Sequence, residues 1–211
     1  MNDKTTIARA PGHCGELVLR RDGAHHEIIA NGMFLMDTRA GESERLLITA
    51  AADRMPGPHL LIGGLGVGFS LRAALTHPRV HEVTVVEREE QVIAWNRTHL
   101  GNQDLLEDPR THCVPADLTT WLPHSPQTFD ALCLDIDNGP DWTLGEDNAS
   151  LYSVEGVRML RSRLTPGGVL AVWSAAASAA FVARLRTAFS AVEVLEVPVA
   201  RGEPDVIFLA G

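Results

Sequence analysis

The chain is short of cysteine, of positive charge and of long hydrophobic runs, and each shortage removes a class of protein. Its three cysteines, Cys14, Cys113 and Cys133, are odd in number and widely spaced. That fits neither a disulfide framework nor a metal knuckle, so they read as reduced thiols, with Cys133 buried in a strand. His25 and His26 have no further His or Cys at ligand spacing; no metal is expected, and the pair reads as exposed hairpin residues. Nowhere do about eighteen apolar residues run together, and none follow Met1-Asn-Asp-Lys-Thr-Thr6, so no membrane span is expected and the protein reads as cytoplasmic. A formal charge of −9 argues against nucleic-acid binding, which needs clustered Lys and Arg. The same charge would favour a small cationic substrate if the acids line a pocket. No Lys-Ser/Thr follows the glycine cluster, which excludes a phosphate-gripping P-loop, and no Gly-x-Ser-x-Gly elbow supports a serine hydrolase. Internal repeats and low-complexity linkers are also missing.

What is present is an ordinary globular composition, 45% hydrophobic and 21% charged over 211 residues, long enough for a full core. Residues 15 to 36 read as a small antiparallel meander: Glu16–Arg20, the turn pair Asp22-Gly23, His26–Ala30, the turn pair Asn31-Gly32, then Met33–Met36. Ser43 to Ala51 read as a helix, ended by the breaker Met55-Pro-Gly-Pro58. The breaker divides a β-rich region, 1–55, from a second region, 56–211. From there strands and helices alternate: strand 59–63, helix 68–76, strand 82–87, helix 89–100, strand 111–114, helix 118–122 and strand 129–135. A helix from Asn148 or Ser150 to about Leu164, stopped by Thr165-Pro-Gly-Gly168, leads to strand 169–173, helix 178–189 and closing strands near 191–197 and 205–209. The alternation predicts an α/β fold, a doubly wound, Rossmann-like, mostly parallel seven-stranded sheet carrying the small N-terminal meander.

In such a sheet a ligand sits outside the carboxyl ends of the strands. That rule selects His59-Leu-Leu-Ile-Gly-Gly-Leu-Gly-Val-Gly68, where Gly63, Gly64, Gly66 and Gly68 permit a sharp turn and close approach of a ligand to the main chain. It also selects Glu87, at the end of Val83-Thr-Val-Val-Glu87, whose carboxylate can accept from both hydroxyls of a ribose. Asp117 can accept from an adenine amino group with Leu118 covering the base, or simply cap the helix that follows; spacing leaves both open. Asp135 ends an otherwise apolar strand, where a carboxylate can orient or deprotonate an attacking amine. Asp137 and Asp141 would attract a cation, Trp142 is the tryptophan placed to enter a pocket, and Gly145–Asn148 with Tyr152 would form a lid. The bland alternative is an acidic surface loop.

Taken together, Leu61–Gly68, Val83–Glu87, Asp108-Pro-Arg110, Ala116-Asp117, Ala131–Asp135 and Leu164–Leu170 make the chain resemble the spermidine synthase-like branch of the class I S-adenosylmethionine-dependent fold. The resemblance implies that Glu87 holds the ribose, Asp117 the adenine, and that Asp135 activates an acceptor amine. It implies S-adenosylmethionine or its decarboxylated form as donor substrate, a small amine acceptor, and a homo-oligomer, a dimer first, built through the N-terminal region. Three departures stand out. Gly66 occupies the place of an aspartate that meets the donor's amino group, Glu42-Ser-Glu44 replaces a Tyr-His-Glu motif, and Asp135-Ile-Asp-Asn138 replaces Asp-Ser-Thr/Ser-Asp-Pro. With the Gly-x-Gly-x-Gly loop of ordinary methyltransferases and these polyamine residues missing, methyl transfer is the favoured expectation. Aminopropyl transfer, internal cyclisation of the donor to methylthioadenosine, and a non-catalytic nucleoside-binding module are its competitors, with an NAD-dependent dehydrogenase behind them.

Overall fold

A computed structural model describes residues 4–13, 15–136, 138–143, 147–199 and 202–211. Four antiparallel strands come first: β1 (Thr5–Gly12), β2 (Gly15–Asp22), β3 (His25–Ala30) and β4 (Met33–Asp37), paired in chain order. The meander therefore has one strand more than expected. β1 carries a single large aliphatic residue, Ile7, and is half exposed along its length, so it has no apolar alternation to betray it. The turn at Asn31-Gly32 uses positive φ at both positions, 49° and 78°, which suits a tight two-residue hairpin. His25 and His26 are half-buried at the start of β3 rather than exposed.

One face of this sheet carries an ionic cluster. Glu27, buried on β3, accepts from Arg20 Nε at 2.7 Å, Lys4 Nζ at 3.2 Å and Arg39 Nη1 at 3.0 Å, and Arg39 also reaches Asp22 and Asp37. Burial works to raise the Glu27 carboxyl, but the hydrogen bonds from Arg20, Lys4 and Arg39 more than offset it and bring it down to about 2. The opposite face, with Leu17, Leu19 and Ile28, packs on Val67, Val92 and Trp95 of the larger layer.

That layer is a seven-stranded sheet built from β5 (His59–Gly63), β6 (Glu82–Glu87), β7 (Thr111–Pro115), β8 (Phe129–Leu134), β9 (Leu164–Ser174), β10 (Val192–Val197) and β11 (Asp205–Ala210). The order is β10-β11-β9-β8-β5-β6-β7, parallel from β9 to β7 and closed by the antiparallel hairpin β10–β11. Chain order reverses between β5 and β8, and the crevice at such a reversal is where ligands bind. Alternate residues of each strand enter two cores, as continuous apolar parallel strands covered on both faces require. Ile62, Val85, Cys133 and Ala171 face α1 (Glu42–Ala52), α2 (Phe69–Thr76), α3 (Glu90–Thr98) and α4 (Gln103–Glu107). Leu61, Val86, Leu132 and Val172 face α5 (Leu118–His124), α6 (Val154–Ser162) and α7 (Ala179–Leu185). Although α1 precedes the Pro-rich breaker, its Leu47, Ile48 and Ala51 lie in the first of these cores. Among the described residues no helix is long and apolar enough to cross a membrane.

Four local expectations need correction. The helix expected from Asn148 or Ser150 is divided into a 3-10 turn, Asp147–Tyr152, and α6, capped anew by Ser153 through its bond from the Gly156 amide at 2.9 Å. Gly156 fits so closely that a Cβ there would lie 2.1 Å from the Ser150 carbonyl oxygen, so the chain folds back on itself. Thr165–Gly168 does not merely end a helix: β9 begins at Leu164, opposite Phe129, and passes through these residues with a register irregularity. α4 was not expected, and α7 is shorter than the predicted 178–189.

Candidate active site

The loop after β5 begins with Gly64 at φ 91° and Gly66 at φ 52°, and Gly68, at φ 90°, caps α2. A Cβ on Gly64 would lie 2.2 Å from the carbonyl oxygen of Asp135, so the loop packs directly on the backbone leaving β8. The Asp135 amide in turn donates to the Gly63 carbonyl at 2.9 Å. A Cβ on Gly66 would meet the Met36 sulfur at 3.0 Å, so a thioether stands beside the position where the resemblance led one to look for a carboxylate.

Behind the loop is a brace that sequence reasoning missed. Asn96 Nδ2 donates to the Gly66 carbonyl at 2.8 Å, and Asn102 Nδ2 donates to the Val67 carbonyl and to Asn96 Oδ1, each at 2.8 Å. Both amides are buried, and Gly68 is needed because a Cβ would lie 2.5 Å from Asn102. Gly68 thus faces the brace, and Gly63 faces Leu118 and Leu134; neither lines the cleft as expected.

Glu87, the last residue of β6, is buried at the cleft wall. Its Oε2 accepts from the Leu65 amide at 2.9 Å and its Oε1 from the Glu89 amide at 2.8 Å. Burial raises the Glu87 carboxyl despite these amides. The Gly66 amide also acts on this carboxylate, and a carboxylate can accept about four hydrogen bonds, which leaves acceptor capacity for a hydroxyl of a bound ligand. Asp117 serves as the cap of α5, accepting from the Thr119 amide at 2.8 Å, while its Oδ2 lies 3.8 Å from Arg88 Nη1 at the cleft wall. Capping, one of the two roles that spacing left open, is present, and the same residue lines the cleft. Leu118, Ile136 and Asn148 complete this side, and Leu17, Ile28 and Met36 of the small sheet form the roof over about 1040 Å³, counting the open mouth.

A second cleft, about 1410 Å³ with its mouth, adjoins the first and shares Asp135, Gly66, Ile136 and Met36 with it. Its acids are Asp37, Glu44 and Asp135, its aromatic walls include Phe69, Trp142 and Trp173, and no Lys, Arg or His is among the described residues that line it. Asp37 is already paired with Arg39, which leaves Glu44 and Asp135 as the available charges. Burial first, then the Glu44 carboxylate, pushes the Asp135 carboxyl up to about 7. Among the described residues its only side-chain hydrogen bond is from Ser70 Oγ to Oδ2 at 3.1 Å, and Oδ1 has no side-chain donor among them.

Other expected residues stand elsewhere. Trp142 lines the second cleft but is 66% exposed. Asp141 points away and lies 3.6 Å from Arg184. Tyr152 is a core residue packed edge-to-face on Phe181, not a lid. Asp137, and Gly145 and Glu146 of the expected lid, lie outside the described residues. Asp37, Glu44 and Trp173 were missed because three separate segments bring them together; only the acid at Glu44, within the noted Glu42-Ser-Glu44, offered a signal.

Comparison with known proteins adds the family. The spermine/spermidine synthase domain model matches residues 46–182. Polyamine aminopropyltransferase 1 of Streptomyces coelicolor is 39% identical over 126 residues, 57% of this chain and 23% of its own. Polyamine aminopropyltransferase 2 of Pseudomonas aeruginosa is 33% identical over 123 residues, 56% of this chain and 33% of its own. The chain therefore spans about a quarter to a third of the length of these curated relatives. A crystal structure of a spermidine synthase in complex with a transition-state analogue superposes with a TM-score of 0.80 at 18% identity, covering 98% of this chain and 73% of that one, which establishes the fold. These findings overturn the methyl-transfer expectation. The Gly-x-Gly-x-Gly spacing on which it leaned reports how a backbone turns beside a nucleoside, and carries no information about which alkyl group leaves the sulfur.

Proposed function

Because the chain belongs to the spermine/spermidine synthase family, we propose that it transfers an aminopropyl group from decarboxylated S-adenosylmethionine to a small amine of the polyamine class. The observation that supports this reading is the meeting of two unlike clefts at one carboxylate, Asp135. The first offers Glu87 for the ribose hydroxyls, Oδ2 of Asp117, which it shares with Arg88, for the adenine amino group and Leu118 for the base face. The second offers the carboxylates of Glu44 and Asp135 beside the indoles of Trp142 and Trp173, with no Lys, Arg or His among its described lining residues, which favours an ammonium group.

The reaction needs positioning more than covalent help. The acceptor nitrogen attacks the methylene carbon bonded to the sulfonium sulfur, on the side opposite the C–S bond. The C–N bond forms, the C–S bond breaks, and its electron pair neutralises the sulfur, leaving methylthioadenosine. Asp135 Oδ1 orients the amine and takes the proton that the nitrogen must lose. A carboxyl near pH 7 in the empty site is poised for that exchange, and the arriving sulfonium favours its ionised form. Self-association through the N-terminal sheet belongs to the same proposal; β4 is an edge strand that exposes Met33 and Phe34.

The test is incubation with decarboxylated S-adenosylmethionine and a panel of diamines and longer polyamines, followed by chromatography of the nucleosides. Methylthioadenosine released only when an amine is present supports the proposal. Tight donor binding with no amine-dependent release would point to a nucleoside-binding module.

A further inference from the structure

Ser70 is the second residue of α2 and is 2% exposed. Serine is a poorer helix former than alanine, and a hydroxyl buried without a partner is costly, so a buried serine here needs a reason. Other described hydroxyls on the helices stay within their own segment: Thr49 donates to the Arg45 carbonyl, Thr76 to that of Arg72 and Thr98 to that of Ala94, while Ser43 and Thr119 reach only the carboxylates of Glu44 and Asp117, one and two residues away. Ser70 does not. Its Oγ crosses to Asp135 Oδ2 at 3.1 Å, joining residues 65 apart in sequence. The carbonyl four residues back, Gly66, is occupied by Asn96.

Resting on the reading of Asp135 as the group that orients and deprotonates the acceptor, we infer that Ser70 is a positioning residue for this reaction, fixing the Asp135 carboxylate so that Oδ1 faces the acceptor amine. The glycine loop then holds Asp135 at two points. Gly64 packs on its carbonyl oxygen, and Ser70, two residues beyond Gly68, holds its side chain. Nucleoside binding and orientation of the acceptor carboxylate are thereby built on one loop and the first turn of one helix. The charged groups that act most strongly on Asp135 among the described residues are acids, Glu44 from α1, Asp205 from β11 and Glu87 from β6, with the buried Cys133 thiol two residues before it on β8. Burial and these carboxylates favour the protonated form. The Ser70 hydroxyl is the opposing influence, since a donor to a carboxylate stabilises its ionised state.

The experiment compares wild type, Ser70→Ala, Ser70→Cys and Asp135→Asn by two readouts. One is the pH dependence of kcat/KM with decarboxylated S-adenosylmethionine and a diamine. The other, independent of turnover, is titration of the Asp135 carboxyl by carbon NMR in protein labelled at aspartate. Ser70→Ala is expected to move both the Asp135 midpoint and the acid limb upward by about half to one pH unit, so that kcat/KM at pH 6 falls roughly 3- to 10-fold more than on the alkaline plateau. Ser70→Cys, a weaker donor of similar size, is expected to fall between and decides the matter if the alanine variant does not fold. A folded variant whose Asp135 midpoint matches wild type overturns the inference, because a merely structural serine would lower the plateau and leave the limb in place. Wild-type turnover by Asp135→Asn would instead overturn the underlying reading of Asp135, while the NMR midpoints still judge the Ser70 contact.

Discussion

Replacing Gly64 by alanine should cost far more than the same change at Gly66, two residues away in the same loop. At Gly64, φ is 91° and the new methyl carbon would lie 2.2 Å from the Asp135 carbonyl oxygen. An L-residue forced to positive φ costs about 1–2 kcal/mol. The clash adds the cost of moving packed backbone, about 1–3 kcal/mol for overpacking, because Asp135 is tied to Gly63 by its amide. The sum, about 2–5 kcal/mol, is a large part of the 5–15 kcal/mol that holds a typical domain together. At Gly66, φ is 52°, within the left-handed region that non-glycine residues occasionally enter, and the neighbour is the Met36 sulfur at 3.0 Å, the flexible end of a side chain that can swing aside. There the cost should be about 1–2 kcal/mol. Equilibrium urea unfolding followed by tryptophan fluorescence gives both values from the shift in midpoint at constant slope. Gly66→Ala as destabilising as Gly64→Ala, or more so, would refute the claim that the loop is moulded on the backbone after β8.

Three further outcomes follow from the site and the small sheet. Asp135→Asn should lower kcat/KM by roughly 10²- to 10⁴-fold with donor affinity kept within a few-fold, measured by turnover and calorimetric titration; an equal loss of donor affinity would move Asp135 into the donor-binding role. Glu87→Gln should weaken donor binding about 10- to 100-fold, because the amide that replaces one carboxylate oxygen meets a backbone N–H of Leu65 or Glu89 instead of accepting from it; unchanged affinity in calorimetry would dismiss the ribose assignment. Glu27 has its carboxyl held at about 2 when folded against an ordinary 4.5, so its stabilisation is present above pH 4.5 and is lost as pH falls towards 2. Glu27→Gln should therefore flatten the acid side of the stability curve over that window, and urea midpoints that run parallel to wild type from pH 5 to 2 would contradict the ionic account of the small sheet.

The parts of the fold that could be read beforehand are those where one segment carries its own pattern. β5, β6 and β8 are largely apolar runs that lead into a glycine or an acid, so their extents, and with them the places of Gly64, Glu87 and Asp135 at the strand ends, followed from sequence. The brace behind the loop did not, because Asn96 lies within a helix and Asn102 just beyond a turn, where their amides look like ordinary surface groups until packing buries them. The second cleft was hidden for a related reason. Asp37 ends β4, Glu44 opens α1 and Trp173 nears the end of β9, and only the docking of the small sheet against the large one makes them neighbours. Tyr152 failed in the opposite direction. Its place near the start of the expected helix, beside the polar Gly145–Asn148, suggested a lid, yet the turn that interrupts that helix sets its ring onto Phe181 in the core. The methyl-transfer expectation failed because it asked a backbone motif to report which alkyl group leaves the sulfur, which the turn of a backbone does not encode.

The most direct test of aminopropyl transfer follows each alkyl group separately. Decarboxylated S-adenosylmethionine carrying deuterium in its S-methyl group and carbon-13 in its aminopropyl chain is turned over with a diamine, and both products are weighed by mass spectrometry. The carbon-13 should appear in the enlarged amine and all the deuterium should stay in methylthioadenosine, one molecule of each per turnover. Deuterium in the amine, or methylthioadenosine formed with no labelled amine beside it, would contradict the account.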